Sequence, residues 1–224
     1  MFFLNKIGHS GTLDPLASGL LIILLNKATK SSVYFQSMDK EYIAKLKLGI
    51  ITDTWDMEGK IIKQKKLKDL NLNEISQVVS SFSGDFYQTP PIFSAKKIMG
   101  KPAYYYARSK KKYGDDIKLK KELVKIYEIN IISLEEDLLT IKVICSSGTY
   151  IRSIAYEIGK KLGCGGALVE LTREKIGSYD LKNSIDLEDL ELIASGSGLS
   201  SYRGIIKAAD IKIPNNDKDK LRIN

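Results

Sequence analysis

The 224-residue chain contains a single histidine, His9, and only two cysteines, Cys145 and Cys164. That is too few of the usual nitrogen and sulfur ligands for a zinc site, so no metal is expected. No apolar run approaches the roughly 18 residues of a membrane span, so no membrane partner is expected. The opening Met1-Phe2-Phe3-Leu4 is far shorter than the roughly 7–15 residue core of a signal peptide. Two cysteines in a chain of this size, without an export signal, read most simply as free thiols in a cytoplasmic protein. There is no internal repeat and no regular βαβ series, which argues against a doubly wound parallel sheet. Acidic excess is lacking too, since 35 Lys and Arg stand against 27 Asp and Glu.

What is present is a globular balance, 43% hydrophobic and 28% charged, with enough chain for a substantial core. The basic excess is confined to one segment. Residues 96–125 hold eleven Lys and Arg against three acids, a surplus that equals the +8 of the whole chain. A bias so localised reads as an electrostatic footprint for a polyanion. Tyr104-Tyr105-Tyr106 lie inside it, and aromatics interleaved with cations suit nucleic acid.

The pattern along the chain is α+β with a mainly antiparallel or mixed sheet. Residues 40–49 alternate as a half-buried strand, with Tyr42, Ala44, Leu46 and Leu48 on one face. Asn73 is expected to cap a helix bearing Ile75, Val78, Val79 and Phe82. Two strands, about 124–134 and 138–145, are joined by Glu135-Glu136-Asp137 as an antiparallel hairpin. Ser146 to Thr149 open a helix with Ile151, Ile154, Ala155, Ile158 and Leu162 on one face, closed by Gly163. Strands are expected near 167–172 and 175–179, then a short amphipathic helix from about Ser184.

The most informative stretch is Gly8-His9-Ser10-Gly11-Thr12-Leu13-Asp14-Pro15-Leu16-Ala17-Ser18-Gly19. Three glycines and a proline make it a shaped loop rather than regular helix or strand. Leu20 to Leu25 follow as a wholly apolar run, the length of a strand buried on both faces. A lone acid on a constrained loop beside a buried strand is one way to hold a reactive group still. The same residues also suit a turn aspartate that caps a backbone group. Arg152 falls in the first turn of its helix, where a cation opposes the macrodipole. It is either an exposed arginine or a guanidinium paired with a buried carboxylate, for which Asp14 is the candidate. Tyr42 is either core packing with a satisfied hydroxyl or a functional aromatic.

Taken together and in order, these segments resemble the TruB family of tRNA pseudouridine synthases. The loop around Asp14 resembles the family's catalytic-aspartate motif. Lys40-Glu41-Tyr42 resembles its tyrosine motif, and Thr52-Asp53-Thr54 with Asp56 and Gly59 the segment after it. Gln88-Thr89-Pro90-Pro91, Ser94-Ala95-Lys96, Gly100 and Tyr106-Ala107-Arg108 resemble the approach to an RNA-gripping thumb loop. Gly148-Thr149-Tyr150-Ile151-Arg152-Ser153 resembles the arginine motif, and Leu171 with Arg173 a late leucine segment. Several motifs in the right order are far more specific than one. The likeness covers most of residues 6–180.

The resemblance implies a pseudouridine-synthase fold: a mixed, mainly antiparallel central sheet flanked by helices, with a basic thumb loop. It implies a catalytic domain over 1–182 with a thumb insertion at about 96–125. Residues 183–224 would form a C-terminal helix and tail. A preceding strand with a Lys-Pro motif and a following PUA-type domain, both usual in the family, are not contained in the sequence. That leaves a sheet edge near Leu20–Leu25 expected to be uncovered, with a monomer as the expected state and self-association through that edge as the alternative. The implied activity is isomerisation of the T-loop uridine (position 55) of tRNA to pseudouridine, with the T-stem-loop as partner and no cofactor.

In the implied roles, Asp14 is the nucleophile, Tyr42 stacks on the flipped uracil and helps proton transfer, and Arg152 pairs with the aspartate. Tyr150 and Leu171 line the base pocket, and His9 steadies the everted nucleotide. Lys96, Arg108, Lys110, Lys111 and Lys112 would meet RNA. A carboxylate attacking carbon must be ionised, a form that a guanidinium partner favours. A target inside a folded loop must be flipped out to be reached. Two other readings are a catalytically impaired remnant that binds and remodels tRNA, and an archaeal-eukaryotic type relative acting on guided RNA targets.

Overall fold

A computed structural model describes residues 5–67, 71–98, 100–108, 119–186 and 189. They divide into two compact units, a smaller one from 5–41 and the described residues from 172 on, and a larger one within 42–171. Two strands pass through both units: β4 (Lys40–Leu48) and β12 (Gly166–Ile176).

The larger unit is built on the hairpin that the acidic turn predicts. Its strands β10 (Glu122–Glu135) and β11 (Leu138–Cys145) pair antiparallel, with Glu135 opposite Leu138. Glu136 takes φ 55° at the turn, the left-handed conformation that two-residue hairpin loops require. β7 (Gly84–Gln88) adds antiparallel to β10, and the order across the sheet is β12-β4-β11-β10-β7. The alternation read in residues 40–49 holds: Ala44, Leu46 and Leu48 are buried while Lys45 and Lys47 are half-exposed. Lys47 closes on the hairpin turn through a 2.7 Å ion pair with Asp137. A separate two-stranded ribbon, β5 (Ile50–Thr52) with β6 (Ile61–Gln64), carries the connection 53–60 at its tip.

Three helices complete this unit among the described residues. In α2 (Leu72–Ser80) the cap is Asn71, not Asn73 as the sequence suggests; its Oδ1 accepts from the Asn73 and Glu74 backbone N–H groups at 2.9 and 3.4 Å. Asn73 is one of the capped donors rather than the cap. Ile75, Val79 and Phe82 are buried as expected, and α2 packs on β10. The helix α4 (Ile151–Lys161) follows a short helix α3 (Ala103–Arg108) in chain order and packs against α2. Lys160 and Lys161 in its last turn suit the negative end of the helix. Gly163 follows in the left-handed conformation at φ 68°. It ends the helix as anticipated, because glycine takes that conformation without a Cβ clash. Short strands β8 (Lys97–Ile98) and β9 (Lys101–Pro102) precede α3. Cys145 and Cys164 are both buried, and burial pushes the Cys164 thiol up from its ordinary value.

The smaller unit pairs β1 (Ile7–His9) with β3 (Ile23–Leu25) antiparallel. The run Leu20–Leu25 is therefore not a strand buried on both faces. Only Ile23–Leu25 is strand, and its ribbon covers one side: Leu24 is buried while Ile23 and Leu25 are exposed. β2 (Ala17–Gly19) pairs with β12, and β13 (Tyr179–Asp180) folds back on the end of the same strand. The helix α1 (Ser32–Ser37) buries Phe35, whose ring lies 5.8 Å from that of Tyr179. Where the sequence suggests two strands, near 167–172 and 175–179, β12 runs unbroken from Gly166 to Ile176. Arg173 and Glu174 fall in the expected gap, yet Arg173 is buried and satisfied inside the strand. The short helix expected from about Ser184 falls mostly on residues outside those described; Leu181–Asn183 form one 3-10 turn.

The helix α4 is seated by a glycine. A Cβ on Gly159 would lie 2.1 Å from the Gly165 carbonyl carbon and 2.1 Å from the Gly166 nitrogen, both backbone atoms that cannot swing aside. Gly159→Ala should overpack this contact, at a cost of about 1–3 kcal/mol. In thermal denaturation the melting temperature should fall by roughly 2–12 °C. An unchanged melting temperature would contradict the close approach.

Candidate functional site

In the smaller unit, the loop carrying Asp14 is fixed by its own backbone. Ser10, fully buried, donates its N–H to the Ile22 carbonyl at 3.0 Å and accepts from the Ile22 N–H on Oγ at 3.2 Å. The Asp14 carbonyl accepts from the Ala17 N–H at 2.8 Å. Asp14 thereby occupies the first position of a β-turn, with Pro15 in the second. Asp14 is half-buried. His9 is exposed at the end of β1, and its Nδ1 accepts from the Gly11 N–H at 3.2 Å. That bond leaves the proton of the neutral ring on Nε2.

In the larger unit, the central feature is a buried ion pair. Arg152, 5% exposed, sits on the first turn of α4 with NH1 3.3 Å from Oδ2 of Asp56, itself 6% exposed at the side chain. The guanidinium also donates to the Thr54 carbonyl at 3.3 Å and to the Phe93 carbonyl at 3.1 Å. Asp56 is held in turn: its Oδ1 accepts from Thr54 Oγ1 at 2.5 Å and from the Glu58 N–H at 3.1 Å. The buried hydroxyl of Thr52 donates to the Asp56 carbonyl at 2.6 Å. Arg152 is thus a paired, buried guanidinium and not the exposed arginine of the simpler reading.

The loop that carries Asp56 grips α4 at a second place. Trp55 has a φ of 64°. That left-handed backbone is unusual for a large side chain. The Trp55 ring stacks on Tyr156, with centroids 4.5 Å apart and an interplanar angle of 13°. Arg152 and Tyr156 are four residues apart and so share a helix face. The adjacent residues Trp55 and Asp56 therefore hold neighbouring points of one face. On either side of them, the Leu168 N–H donates to the Trp55 carbonyl at 3.0 Å and the Met57 N–H to the Leu168 carbonyl at 2.9 Å.

Tyr150 immediately precedes α4 and is half-buried. Its backbone N–H is satisfied by Gln88 Oε1 at 2.9 Å. Without that acceptor it would be one of the open donors of the helix start. The same buried amide donates from Nε2 to the Gly148 carbonyl at 2.6 Å, and Ser153 Oγ donates to the Thr89 carbonyl at 2.7 Å. Gln88 and Thr89 thereby fix where α4 starts. Tyr42 is half-buried on β4, and Leu171 is buried on β12. Lys96 forms an ion pair with Glu122. Arg108 ends α3, but its side chain lies outside what is described, as do Lys110, Lys111 and Lys112 altogether.

Asp56 and Gln88 are the residues that the sequence reading left without a role. Asp56 looks like one acid in a polar connection; its importance comes from the partner ninety-six positions on, which no local spacing reveals. Asp56→Ala should break this buried pair, at about 3–5 kcal/mol. The melting temperature should drop by roughly 6–20 °C. A change under about 2 °C would show that the pair is not what seats α4.

The sequence and the fold both have relatives. The model of the TruB family pseudouridylate synthase N-terminal domain matches residues 1–151, and that of the tRNA pseudouridylate synthase B C-terminal domain matches 152–210. A protein of Francisella philomiragia named tRNA pseudouridine synthase B is 42% identical over 206 residues, 92% of this chain and 67% of its own length. One of the same name from Clostridium tetani is 41% identical over 209 residues, 90% of this chain and 71% of its own. Among solved structures, a Cbf5-Nop10-Gar1 complex matches with a TM-score of 0.65 at 28% identity, over 89% of this chain. An H/ACA RNP bound to a substrate RNA containing 2'-deoxyuridine matches with a TM-score of 0.62 at 26% identity, over 90% of this chain. The chain spans 50% of the length of each of those two structural neighbours. With family models matching along residues 1–210, and an α+β fold shared with these structures, the chain belongs to the TruB family of pseudouridylate synthases.

Proposed function

We propose that this protein converts the T-loop uridine of tRNA to pseudouridine, with Asp14 as nucleophile. The observation that carries the reading is the match to proteins named tRNA pseudouridine synthase B, at 41% and 42% identity over nine-tenths of the chain. The Asp14 motif lies inside the matched N-terminal domain. The reaction leaves the composition of the nucleotide unchanged. The bond from ribose C1′ to uracil N1 breaks, the base turns, and C5 bonds to C1′. The C5 proton is lost and N1 gains one, so neither oxidant nor group donor is consumed.

The residues take the roles that their motifs suggest. Asp14, held in a Pro-containing turn, supplies the carboxylate that engages the nucleoside. Tyr42 offers an aromatic face to the flipped base. Tyr150 and Leu171 line the pocket, and His9 meets the displaced nucleotide at the exposed end of its strand. Arg152 supplies a guanidinium whose direction is set by Asp56, Thr54 and Phe93. Lys96, Arg108 and Lys110 to Lys112 belong to the basic window that meets RNA phosphates. The protein acts as a monomer in the cytoplasm, and its two buried cysteines, which form no disulfide with each other, support a reducing compartment.

Two measurements test this reading. Asp14→Asn should bind a T-stem-loop RNA with wild-type affinity yet leave no pseudouridine in the digested RNA, since an amide is a poor nucleophile. Product at near wild-type rate would overturn the assignment. Replacing Lys110, Lys111 and Lys112 together by Gln should weaken binding to any T-loop RNA similarly. If all three meet phosphates, the slope of log K against log salt should shrink by about 2–3. An unchanged slope would make these lysines a solvated face.

A further inference from the structure

Arg173 is 2% exposed, and among the described residues its guanidinium meets only backbone carbonyls. Nε donates to the Leu20 carbonyl at 2.7 Å and NH2 to the Gly11 carbonyl at 3.2 Å. Those two carbonyls stand at the two ends of the segment 11–20, with Asp14 between them. The Arg173 backbone grips the same segment, its carbonyl accepting from the Leu20 N–H at 2.8 Å. Next to it, the hydroxyls of Ser18 and Thr172 lie 3.2 Å apart. The approach leaves no room for a side chain: a Cβ on Gly19, at φ 100°, would lie 2.5 Å from the Arg173 carbonyl oxygen.

A buried guanidinium without a carboxylate partner carries a desolvation cost that an apolar residue of similar volume avoids. What it offers instead is geometry. Its planar donors span two acceptors at fixed separation, which the single ammonium of a lysine cannot reproduce. We infer that Arg173 is a positioning residue for Asp14, closing both ends of the nucleophile's loop so that the carboxylate is held at one place. The inference rests on the assignment of Asp14 as nucleophile and adds the part that makes its loop rigid. Small displacements of a reacting group are costly, about 100-fold for about 1 Å.

The test uses the full chain in single-turnover reactions, with protein in excess over a T-stem-loop RNA carrying tritium at uracil C5. Arg173→Lys keeps the charge and loses the fork. Arg173→Gln keeps one donor without a buried charge, and it decides the matter if the lysine variant does not fold. For a folded variant the expected result is unchanged RNA affinity and full amplitude of tritium release, with a rate constant at least about 10-fold lower. A purely structural role gives the opposite pattern, amplitude falling with the folded fraction while the rate constant stays at the wild-type value. That pattern, or a wild-type rate with full amplitude, overturns the inference. Asp14→Asn run alongside separates the two claims. If it is inactive while the Arg173 variants react at the wild-type rate, only the Arg173 inference fails. If it reacts at the wild-type rate, the nucleophile assignment fails and takes the positioning inference with it.

Discussion

The larger unit depends on one buried ion pair, Arg152 with Asp56. An isolated guanidinium at this depth would be prohibitively desolvated. It is tolerated because a carboxylate and two carbonyls face it, and because that carboxylate is itself held by a hydroxyl and a backbone N–H. The consequence is structural economy: the first turn of α4, the loop 52–59 and the segment at Phe93 cannot move independently. The placement also answers an electrostatic objection. A cation in the first turn of a helix opposes the macrodipole, and Asp56 supplies the negative charge that this helix end favours.

The two units use the same device with different partners. In the larger, an arginine on a helix is fixed by a carboxylate and carbonyls. In the smaller, an arginine on a strand closes a loop through two carbonyls. In both, an irregular segment bearing an acid is held by a buried polar side chain from a regular element, which is how scaffolds fix groups that must not drift. Trp55 shows what the arrangement costs. A left-handed backbone is strained for such a residue. The strain is offset by stacking on Tyr156 and by the backbone bonds that the Trp55 carbonyl and the Met57 N–H make to Leu168.

Much of this was legible in the sequence, and the boundary of legibility has a physical cause. Features set by local chemistry could be read directly: the alternating strand at 40–48, the acidic hairpin turn, the helix after Gly148, and the shaped loop around Asp14. Features set by long-range partners could not. The run Leu20–Leu25 is uniformly apolar, so periodicity could not show that its strand would have cover on one side only. Arg173 falls between the two strands expected near 167–172 and 175–179; the carbonyls of Gly11 and Leu20, far off in sequence, explain its burial inside one strand. Asn71 and Asn73 offer the same capping chemistry two residues apart, and local sequence does not choose between them. Asp56 and Gln88 acquire roles only through contacts more than fifty residues away.

The central claim is that this chain performs the isomerisation and does more than bind RNA. The most direct measurement incubates an excess of the protein with a T-stem-loop RNA labelled with tritium at C5 of the target uracil, and counts label released to water against RNA bound. The account predicts release approaching one tritium per bound RNA, because C5 must lose its hydrogen when it bonds to C1′. Saturable binding with no release above the protein-free control would contradict it, and would leave an RNA-binding member of the family without its chemistry.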